Sequence, residues 1–144
     1  MTLAVDGRGH LEHEVISCSD AAAAKGIPLG RELKTLILTA GGRLLVASLP
    51  GDRRLHLRSV KRVAATRQAC LCSVEELASM GLAPGSISPF LPQLARVHHL
   101  IDPACFALDW MSTNDGTRRG FIVFDPRSLH ELDQITVAEI GVPT

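Results

Sequence analysis

The prediction of the fold starts from the stretch Leu33-Lys34-Thr35-Leu36-Ile37-Leu38-Thr39. Apolar residues continue to Ala40, the pair Gly41-Gly42 follows, and a second apolar run extends from residue 44 to residue 49. Two such runs joined by a glycine turn predict a β-hairpin. Because both runs are almost continuously apolar, we expect the hairpin to lie mid-sheet with both faces covered. Lys34 is the one charged residue of the first predicted strand, and it lies at the strand entrance.

The rest of the chain predicts short strands and helices in mixed order. We expect further strands at 13–18, 68–72 and 96–103, a last strand pair at 107–111 and 120–124, and helices at 20–25, 57–64, 73–80 and after Asp125-Pro126. The third helix begins with a capping-box pattern, Ser73 followed three residues later by Glu76. The predicted fold class is α/β (mixed α+β): a single domain, residues 1–144, with a central mixed, largely antiparallel sheet of about seven strands flanked by helices.

Composition excludes several classes of protein. The chain has 144 residues, 15 basic and 15 acidic side chains and 46% hydrophobic residues, which is typical of one soluble domain. No apolar run approaches the roughly 20 residues that span a bilayer, so no membrane partner is expected. The first ten residues lack a basic segment followed by an apolar core, so we expect no signal peptide and a cytoplasmic location. The four cysteines are then expected as reduced thiols, with Cys70 and Cys72 packed in the core.

The motifs of the best-known catalytic sites are missing from this sequence. None of the six histidines forms a pair with the spacing of a zinc-binding helix. A Gly-x-Ser-x-Gly elbow and a phosphate-binding Gly-x-x-x-x-Gly-Lys loop are also missing. His98 and His99 are neighbours in a predicted strand, so at most one of them points inward. We therefore expect no metal and no cofactor.

A basic segment follows the predicted hairpin. It carries no acidic residue after Asp52, and its basic side chains are Arg53, Arg54, His56, Arg58, Lys61, Arg62 and Arg67. Such a segment is typical either of a solvated helix face or of a surface that contacts phosphates, and the pattern alone leaves both interpretations open.

Four further features combine into a candidate site. They are Lys34 at a strand entrance, the loop Gly85-Ser86-Ile87-Ser88-Pro89, Asp102 after a strand, and the turn Arg118-Arg119-Gly120. Each has an ordinary structural explanation when taken alone. Small residues in a loop, however, allow main-chain N–H groups to approach a ligand closely.

In this combination and order the chain resembles the YbaK and prolyl-tRNA-synthetase-associated editing domains. The resemblance extends over nearly the whole chain. It rests on the alanine-rich helix and Gly-x-Pro-Leu before Leu33-Lys34-Thr35-Leu36, the turn Pro50-Gly51-Asp52-Arg53-Arg54, the Ser-x-Glu-Glu-Leu helix, the Gly-x-x-x-Pro loop from Gly85 to Pro89, Ile101-Asp102-Pro103, and Arg119-Gly120. It implies hydrolysis of the ester bond that joins a wrongly chosen amino acid to the 3′ end of a tRNA, by a freestanding enzyme that acts in trans.

The resemblance also implies roles for individual residues. In that family the lysine matching Lys34 is essential, and the Gly-x-x-x-Pro loop binds the aminoacyl ester through its main chain. The implied catalytic residues are Lys34, Gly85 and Ser86, the last two as oxyanion donors. The implied substrate-binding residues are Ile87, Ser88, Pro89, Asp102, Ser112, Arg119 and Gly120. The implied tRNA-binding residues are Arg53, Arg54, Arg58, Lys61 and Arg62.

Two departures from the family pattern leave the substrate open. The loop has Gly85-Ser86 where some members have two glycines, and an Asn-Asp-Gly insertion lies between Ser112 and Arg118. The expected partners are a tRNA with an aminoacylated 3′ end and an aminoacyl-tRNA synthetase, with the chain acting as a monomer or homodimer. Two alternatives remain at this point: a non-catalytic module that binds tRNA or a synthetase, and a hydrolase of another small ester.

Overall fold

A computed structural model describes residues 5–144. Residues 1–4 lie outside the described residues, and they belong to the N-terminal segment in which we expected no signal peptide. Three helices are present in the described part: α1 (Cys18–Lys25), α2 (Leu57–Val63) and α3 (Val74–Ser79). Its strands are β1 (Val5–His10), β2 (Leu33–Ala40), β3 (Arg43–Pro50), β4 (Arg53–Leu55), β5 (Ala69–Leu71), β6 (His98–Ile101), β7 (Met111–Asn114), β8 (Gly120–Phe124), β9 (Ile135–Val137) and β10 (Gly141–Pro143). Short 3₁₀ turns lie at Leu29–Arg31, Pro92–Leu94, Pro103–Ala107 and Pro126–Glu131.

The predicted hairpin is confirmed as the centre of the fold. Strands β2 and β3 pair antiparallel over their whole length, from Leu33 opposite Pro50 to Ala40 opposite Arg43. Gly41 and Gly42 make the turn with φ values of 59° and 79°, which a residue without a Cβ adopts most readily. The hairpin belongs to a five-stranded sheet of order β5-β2-β3-β6-β9, in which β6 runs parallel to β3 and to β9.

One edge of β2 is only partly covered. Strand β5 pairs with residues Leu38 to Ala40 and with no earlier residue of β2. We call residues 33–37 of this edge the open edge of β2. It faces α1 and the loop that follows α3, and it becomes one wall of the site described below.

The strands are divided among three sheets instead of forming one. The β7–β8 hairpin pairs with β1 and meets the central sheet through a bridge from Ser112 to Glu32, while β4 pairs with β10. The mixed α/β class is confirmed, but the described chain holds ten strands in sheets of five, three and two. The expected single sheet of about seven strands was wrong because which edges pair depends on contacts between distant parts of the chain.

Three local predictions were also wrong. Residues 13–17 are not a strand; Ser17 instead caps α1, its hydroxyl accepting the Asp20 N–H, and the first described strand lies at Val5–His10. The segment after Asp125-Pro126 is a 3₁₀ turn and not an α-helix. The strand expected at 107–111 begins only at Met111, because Pro103–Ala107 forms a 3₁₀ turn.

Both faces of the central hairpin are covered, as predicted. On one face Leu38 packs with Val60 of α2 and Ile140, and on the other Ile37 packs with Leu77 of α3 and Leu94. A third apolar cluster, which includes Leu33, Ile101, Met111 and Phe124, joins the central sheet to the β7–β8 hairpin. These contacts explain why β2 and β3 are almost continuously apolar.

The histidine and cysteine predictions have different outcomes. His99 is fully buried, with Nε2 3.0 Å from the Leu94 carbonyl oxygen, whereas His98 is partly exposed; the prediction that one of the two points inward is therefore confirmed. Cys70 is exposed, so its expected core position was wrong, because β5 is an edge strand. No helix of residues 5–144 has the length and apolarity needed to cross a membrane.

Candidate active site

A cavity of about 350 Å³ lies beside the open edge of β2. One wall is the open edge itself, and a second is formed by α1 and the segment before it, including Ser17, Cys18 and Lys25. The third wall consists of Gly85 and Ile87, from the Gly-x-x-x-Pro loop. The turn of the β7–β8 hairpin closes the remaining side. The cavity thus brings together elements from both ends of the chain.

The β7–β8 hairpin holds the Gly-x-x-x-Pro loop in position. Arg118 donates from Nε to the Pro84 carbonyl at 2.9 Å, and Asn114 donates from Nδ2 to the Ile87 carbonyl at 2.7 Å. Gly85 has a φ of 89°, and a Cβ on it would lie 2.8 Å from the Ile16 Cα. A side chain at this position would be excluded by both conformation and space. Arg118, from the turn already named in the candidate site, and Asn114, which was not predicted, therefore support this wall.

The main-chain donors of this loop differ in their availability. The N–H groups of Gly85 and Ile87 have no acceptor among the described residues. The Ser86 N–H donates to the Ala83 carbonyl at 3.2 Å, and the Ser86 hydroxyl donates to the same oxygen at 3.0 Å. Gly85 therefore lines the cavity and has an N–H without an acceptor among the described residues, whereas Ser86 is engaged in a turn and does not line the cavity.

Lys34 connects the cavity with the basic segment. It lines the cavity and is half-buried, and its Nζ donates to the Arg53 carbonyl at 2.6 Å. Arg53 is the first residue of β4 and of the basic segment. Among the described residues no carboxylate lies within ion-pair distance of Lys34. Lys34 is therefore a cavity lysine without an ion-pair partner in the described part of the chain.

A second lysine of the cavity wall, Lys25, is paired. Its Nζ lies 3.0 and 2.8 Å from the two carboxylate oxygens of Glu32 and donates to the Ser112 hydroxyl at 2.9 Å. The side chains of Lys25 and Glu32 are only 4% and 5% exposed, and the ammonium lies 4.9 Å from the centre of the Phe121 ring. Burial raises the pKa of Glu32, and the hydrogen bond and charge of Lys25 oppose that rise.

Sequence analysis missed this pair. One signal was available: Glu32 directly precedes the apolar strand, where its carboxylate is expected to be buried. A buried carboxylate requires a partner. The partner itself, at the end of α1, could not be identified from spacing alone. Ser112, a predicted substrate-binding residue, does not line the cavity and reaches it only through Lys25.

The cavity offers no activated side-chain nucleophile among the described residues. Burial, with Glu32 as a second cause, raises the pKa of the Cys18 thiol to about 11, against the lowering effect of Lys34 and Lys25. Burial also raises the pKa of Cys72. Neither thiol is ionised at neutral pH, and a thiol in that state is a poor nucleophile. No histidine lines the described cavity to act as a base for Ser17 or Thr35.

The remaining predicted substrate-binding residues have mainly structural contacts. Asp102 accepts the Ala104 N–H through Oδ1 and the N–H groups of Ile140 and Gly141 through Oδ2, at 2.9, 3.1 and 2.9 Å. Its carboxylate thereby fastens β10 to the end of β6. Gly120 lines the cavity, whereas Ser88, Pro89 and Arg119 do not. The structure therefore brings Lys34, Gly85, Ile87 and Gly120 together at one cavity.

The remaining three residues are held by contacts outside the cavity. The Ser88 hydroxyl accepts the Phe90 N–H at 3.2 Å. Pro89 lines a separate cavity of about 220 Å³. Arg119 donates from Nε to the Leu11 carbonyl at 3.0 Å. These contacts position the loop and the hairpin turn around the site.

The basic segment begins beside Lys34, at Arg53, and continues along β4 and α2. Arg54, Arg58 and Arg62 are exposed, and Arg53 and Lys61 are half-buried. Within the described residues none of the five has a carboxylate partner. A run of cations without carboxylate partners favours binding of a polyanion, although the whole chain has no net charge.

Comparisons with solved structures show the same fold in other proteins. Solved structures of similar fold include the hypothetical protein APE2540, with 23% identity, a TM-score of 0.84 and coverage of 94% of this chain and 91% of that one. They also include a candidate trans-editing enzyme for prolyl-tRNA synthetase, with 21% identity, a TM-score of 0.80 and coverage of 94% and 85%. At these identities the likeness shows the fold. No curated protein matches the chain.

A family model covers most of the sequence. Residues 12–131 match the model described as the aminoacyl-tRNA editing domain. The matched range includes Lys34, the Gly-x-x-x-Pro loop and the β7–β8 hairpin, which are the elements that surround the cavity. This chain therefore belongs to the aminoacyl-tRNA editing domain family.

Proposed function

We propose that this protein is an aminoacyl-tRNA deacylase that acts in trans and hydrolyses the ester bond of a mischarged tRNA. The observation that carries the proposal is the cavity, which combines a lysine without a carboxylate partner with main-chain N–H groups that have no acceptor among the described residues, and whose lysine contacts the first residue of the basic segment. Membership of the editing-domain family supports the same reaction. The solved structure described as a candidate trans-editing enzyme supports action on tRNA charged elsewhere.

The chemistry suits a site without a nucleophilic side chain. An aminoacyl ester is already reactive, so the protein has to orient it, admit a water molecule and stabilise the oxyanion. The water oxygen bonds to the acyl carbon, the bond to the ribose oxygen breaks, and that oxygen takes up a proton. The products are a free amino acid and a tRNA with a free terminal hydroxyl. The free N–H of Gly85 is an oxyanion donor of the kind that contributes roughly 3–4 kcal/mol.

Lys34 is suited to the tRNA side of the site. Its ammonium carries three donors on a flexible stem. One of them contacts the carbonyl of Arg53, so Lys34 links the cavity with the first residue of the basic segment. We infer that it binds the ribose or the phosphate of the terminal adenosine and favours the negative charge that develops on the ester. Arg53, Arg54, Arg58, Lys61 and Arg62 then contact phosphates of the acceptor stem, an interaction that salt weakens.

One experiment tests the reaction and its substrate together. The purified protein is incubated with alanyl-, seryl-, threonyl- and cysteinyl-tRNA, and the remaining ester is measured over time. The proposal predicts that at least one of the four loses its amino acid much faster than without protein. No acceleration on any charged tRNA would favour a non-catalytic module. Equal hydrolysis of amino acid ethyl esters would favour a hydrolase of small esters that does not require the nucleotide.

A further inference from the structure

The open edge of β2 exposes the main-chain groups of one residue to the cavity. The Ile37 carbonyl accepts the Cys72 N–H at 2.9 Å, so the polar groups of Ile37 point away from β3. The Glu32 carbonyl accepts the Gly51 N–H at 2.7 Å, so those of Glu32 point toward β3. Main-chain groups alternate between the two sides along a strand. The N–H and C=O of Thr35 therefore face the open edge.

The residue opposite Thr35 supports this assignment. Ser48 pairs with Thr35 in the register of the hairpin, and its carbonyl accepts the Asp102 N–H on the other side of β3, at 3.0 Å. Thr35 and Ser48 are thus a pair without mutual hydrogen bonds. The Thr35 hydroxyl is also buried without a partner among the described residues. The Thr35 N–H and C=O are thus available at the cavity wall, where a ligand that enters the cavity can satisfy them.

The opening along this edge is one residue long. On one side of Thr35, the Leu33 carbonyl oxygen lies 3.9 Å from the Cys18 thiol, which acts as a weak donor to it. On the other side, Ile37 is bonded to Cys72. Lys34 and Leu36 direct their main-chain groups toward β3. A ligand that pairs with this edge can therefore contact Thr35 alone.

We propose that Thr35 binds the aminoacyl group of the substrate through its main chain, as one strand residue pairs with another. This inference rests on the proposed deacylase function. An aminoacyl ester carries a donor nitrogen and an acceptor carbonyl on either side of one Cα, which is the arrangement of a strand residue. Its α-ammonium donates to the Thr35 carbonyl, and the Thr35 N–H donates to the ester carbonyl oxygen.

This pairing gives the site an oxyanion donor on the wall opposite the Gly-x-x-x-Pro loop. When water attacks, the electron pair of the ester carbonyl moves onto the oxygen that the Thr35 N–H already contacts, and the hydrogen bond strengthens with that charge. The charge disappears when the ribose oxygen leaves. The one-residue opening also selects a single aminoacyl unit, because a peptidyl group would require a second free position along the edge.

The test replaces one N–H with an oxygen. The α-hydroxy analogue of threonine is incorporated at position 35, which converts the amide to an ester and leaves the side chain unchanged. The matched control is the same replacement at Thr39, which lies on the same edge of β2 but faces Cys70 of β5. We expect kcat to fall by about 100-fold at position 35 with KM little changed. At position 39 we expect lower thermal stability and the wild-type kcat. A wild-type kcat for the position 35 ester would overturn the proposal.

Binding provides a readout that does not depend on turnover. A non-hydrolysable adenosine with an amide-linked 3′-aminoacyl group is titrated into the ¹⁵N-labelled wild-type protein. The Thr35 amide resonance is expected to shift and its hydrogen exchange to slow, with the Thr39 amide unchanged. Binding without a change at Thr35 would overturn the proposal. If the wild-type protein deacylates no tRNA, the proposed function fails, and the titration still shows whether Thr35 binds an aminoacyl group.

Discussion

Lys25 and Lys34 flank the entrance of β2 and line the same cavity, yet they differ in burial and in the number of hydrogen-bond acceptors around their ammonium groups. Lys25 is almost completely buried, and its three acceptors are the two Glu32 oxygens and the Ser112 hydroxyl. Lys34 is half-buried, and its one described partner is the Arg53 carbonyl. An ammonium with three protein acceptors has no proton left for a ligand, whereas Lys34 retains donors that a substrate can use. The comparison therefore leads us to propose a structural role for Lys25 and a substrate-binding role for Lys34.

The largest effect is expected from Lys25→Met. This change leaves the Glu32 carboxylate buried without its counter-ion, which costs about 3–5 kcal/mol of unfolding free energy. The measurement is urea denaturation followed by circular dichroism, and the control is Lys34→Met, which removes the half-buried lysine that has no carboxylate partner. The double variant Lys25→Met/Glu32→Met should recover most of the loss. Equal stability of Lys25→Met and wild type would remove the distinction between the two lysines.

Lys34→Ala should have the opposite profile. We expect deacylation of the preferred mischarged tRNA to fall by roughly 100- to 1,000-fold, since a charge beside the developing oxyanion is lost. The unfolding free energy should fall by only about 1 kcal/mol, the contribution of one partly exposed hydrogen bond. Single-turnover kinetics and thermal denaturation of the same preparation measure both quantities. A variant that loses stability and activity in parallel would contradict the functional role.

A smaller effect is expected from substitutions in the basic segment. The triple variant Arg58→Gln/Lys61→Gln/Arg62→Gln should raise KM about tenfold at low salt and reduce the dependence of log KM on log salt concentration by about two, with kcat unchanged. The control is Arg96→Gln, a change of an exposed arginine outside this segment. An unchanged salt dependence in the triple variant would indicate that α2 is an ordinary solvated helix.

The smallest effect concerns the thiol that lies between the two lysines. Because the pKa of Cys18 is raised to about 11 in the folded protein from an ordinary value of 9.0, the folded state retains its proton where the unfolded state loses it. Stability from this group is complete below pH 9 and declines as the pH rises toward 11, by roughly 1 kcal/mol at pH 10. Cys18→Ala should show a weaker decline in alkaline urea titrations. A decline equal to that of the wild type would exclude Cys18 as its source.

Sequence analysis identified one of the two lysines that line the cavity, Lys34, but not the other, Lys25. Lys34 was identifiable because a charge inside an apolar strand is anomalous and because it stands in a recognisable motif order. Lys25 was not, since a lysine at the end of an alanine-rich helix is usually solvated. The two predicted oxyanion donors also differ. The motif named both Gly85 and Ser86, but the Ser86 N–H is engaged in a turn, which only the loop conformation reveals.

What the sequence determined by itself was local: the hairpin from Leu33 to Pro50, the glycine required at position 85, the unpaired basic segment and the editing-domain motifs. Tertiary structure alone decided the division into three sheets, the Lys25–Glu32 pair and the one-residue opening at Thr35. The physical reason is range. Hydrophobic pattern and turn chemistry act between neighbouring residues, whereas edge pairing and ion pairing join residues far apart in the chain, such as Lys25 and Ser112, and leave no periodic signal.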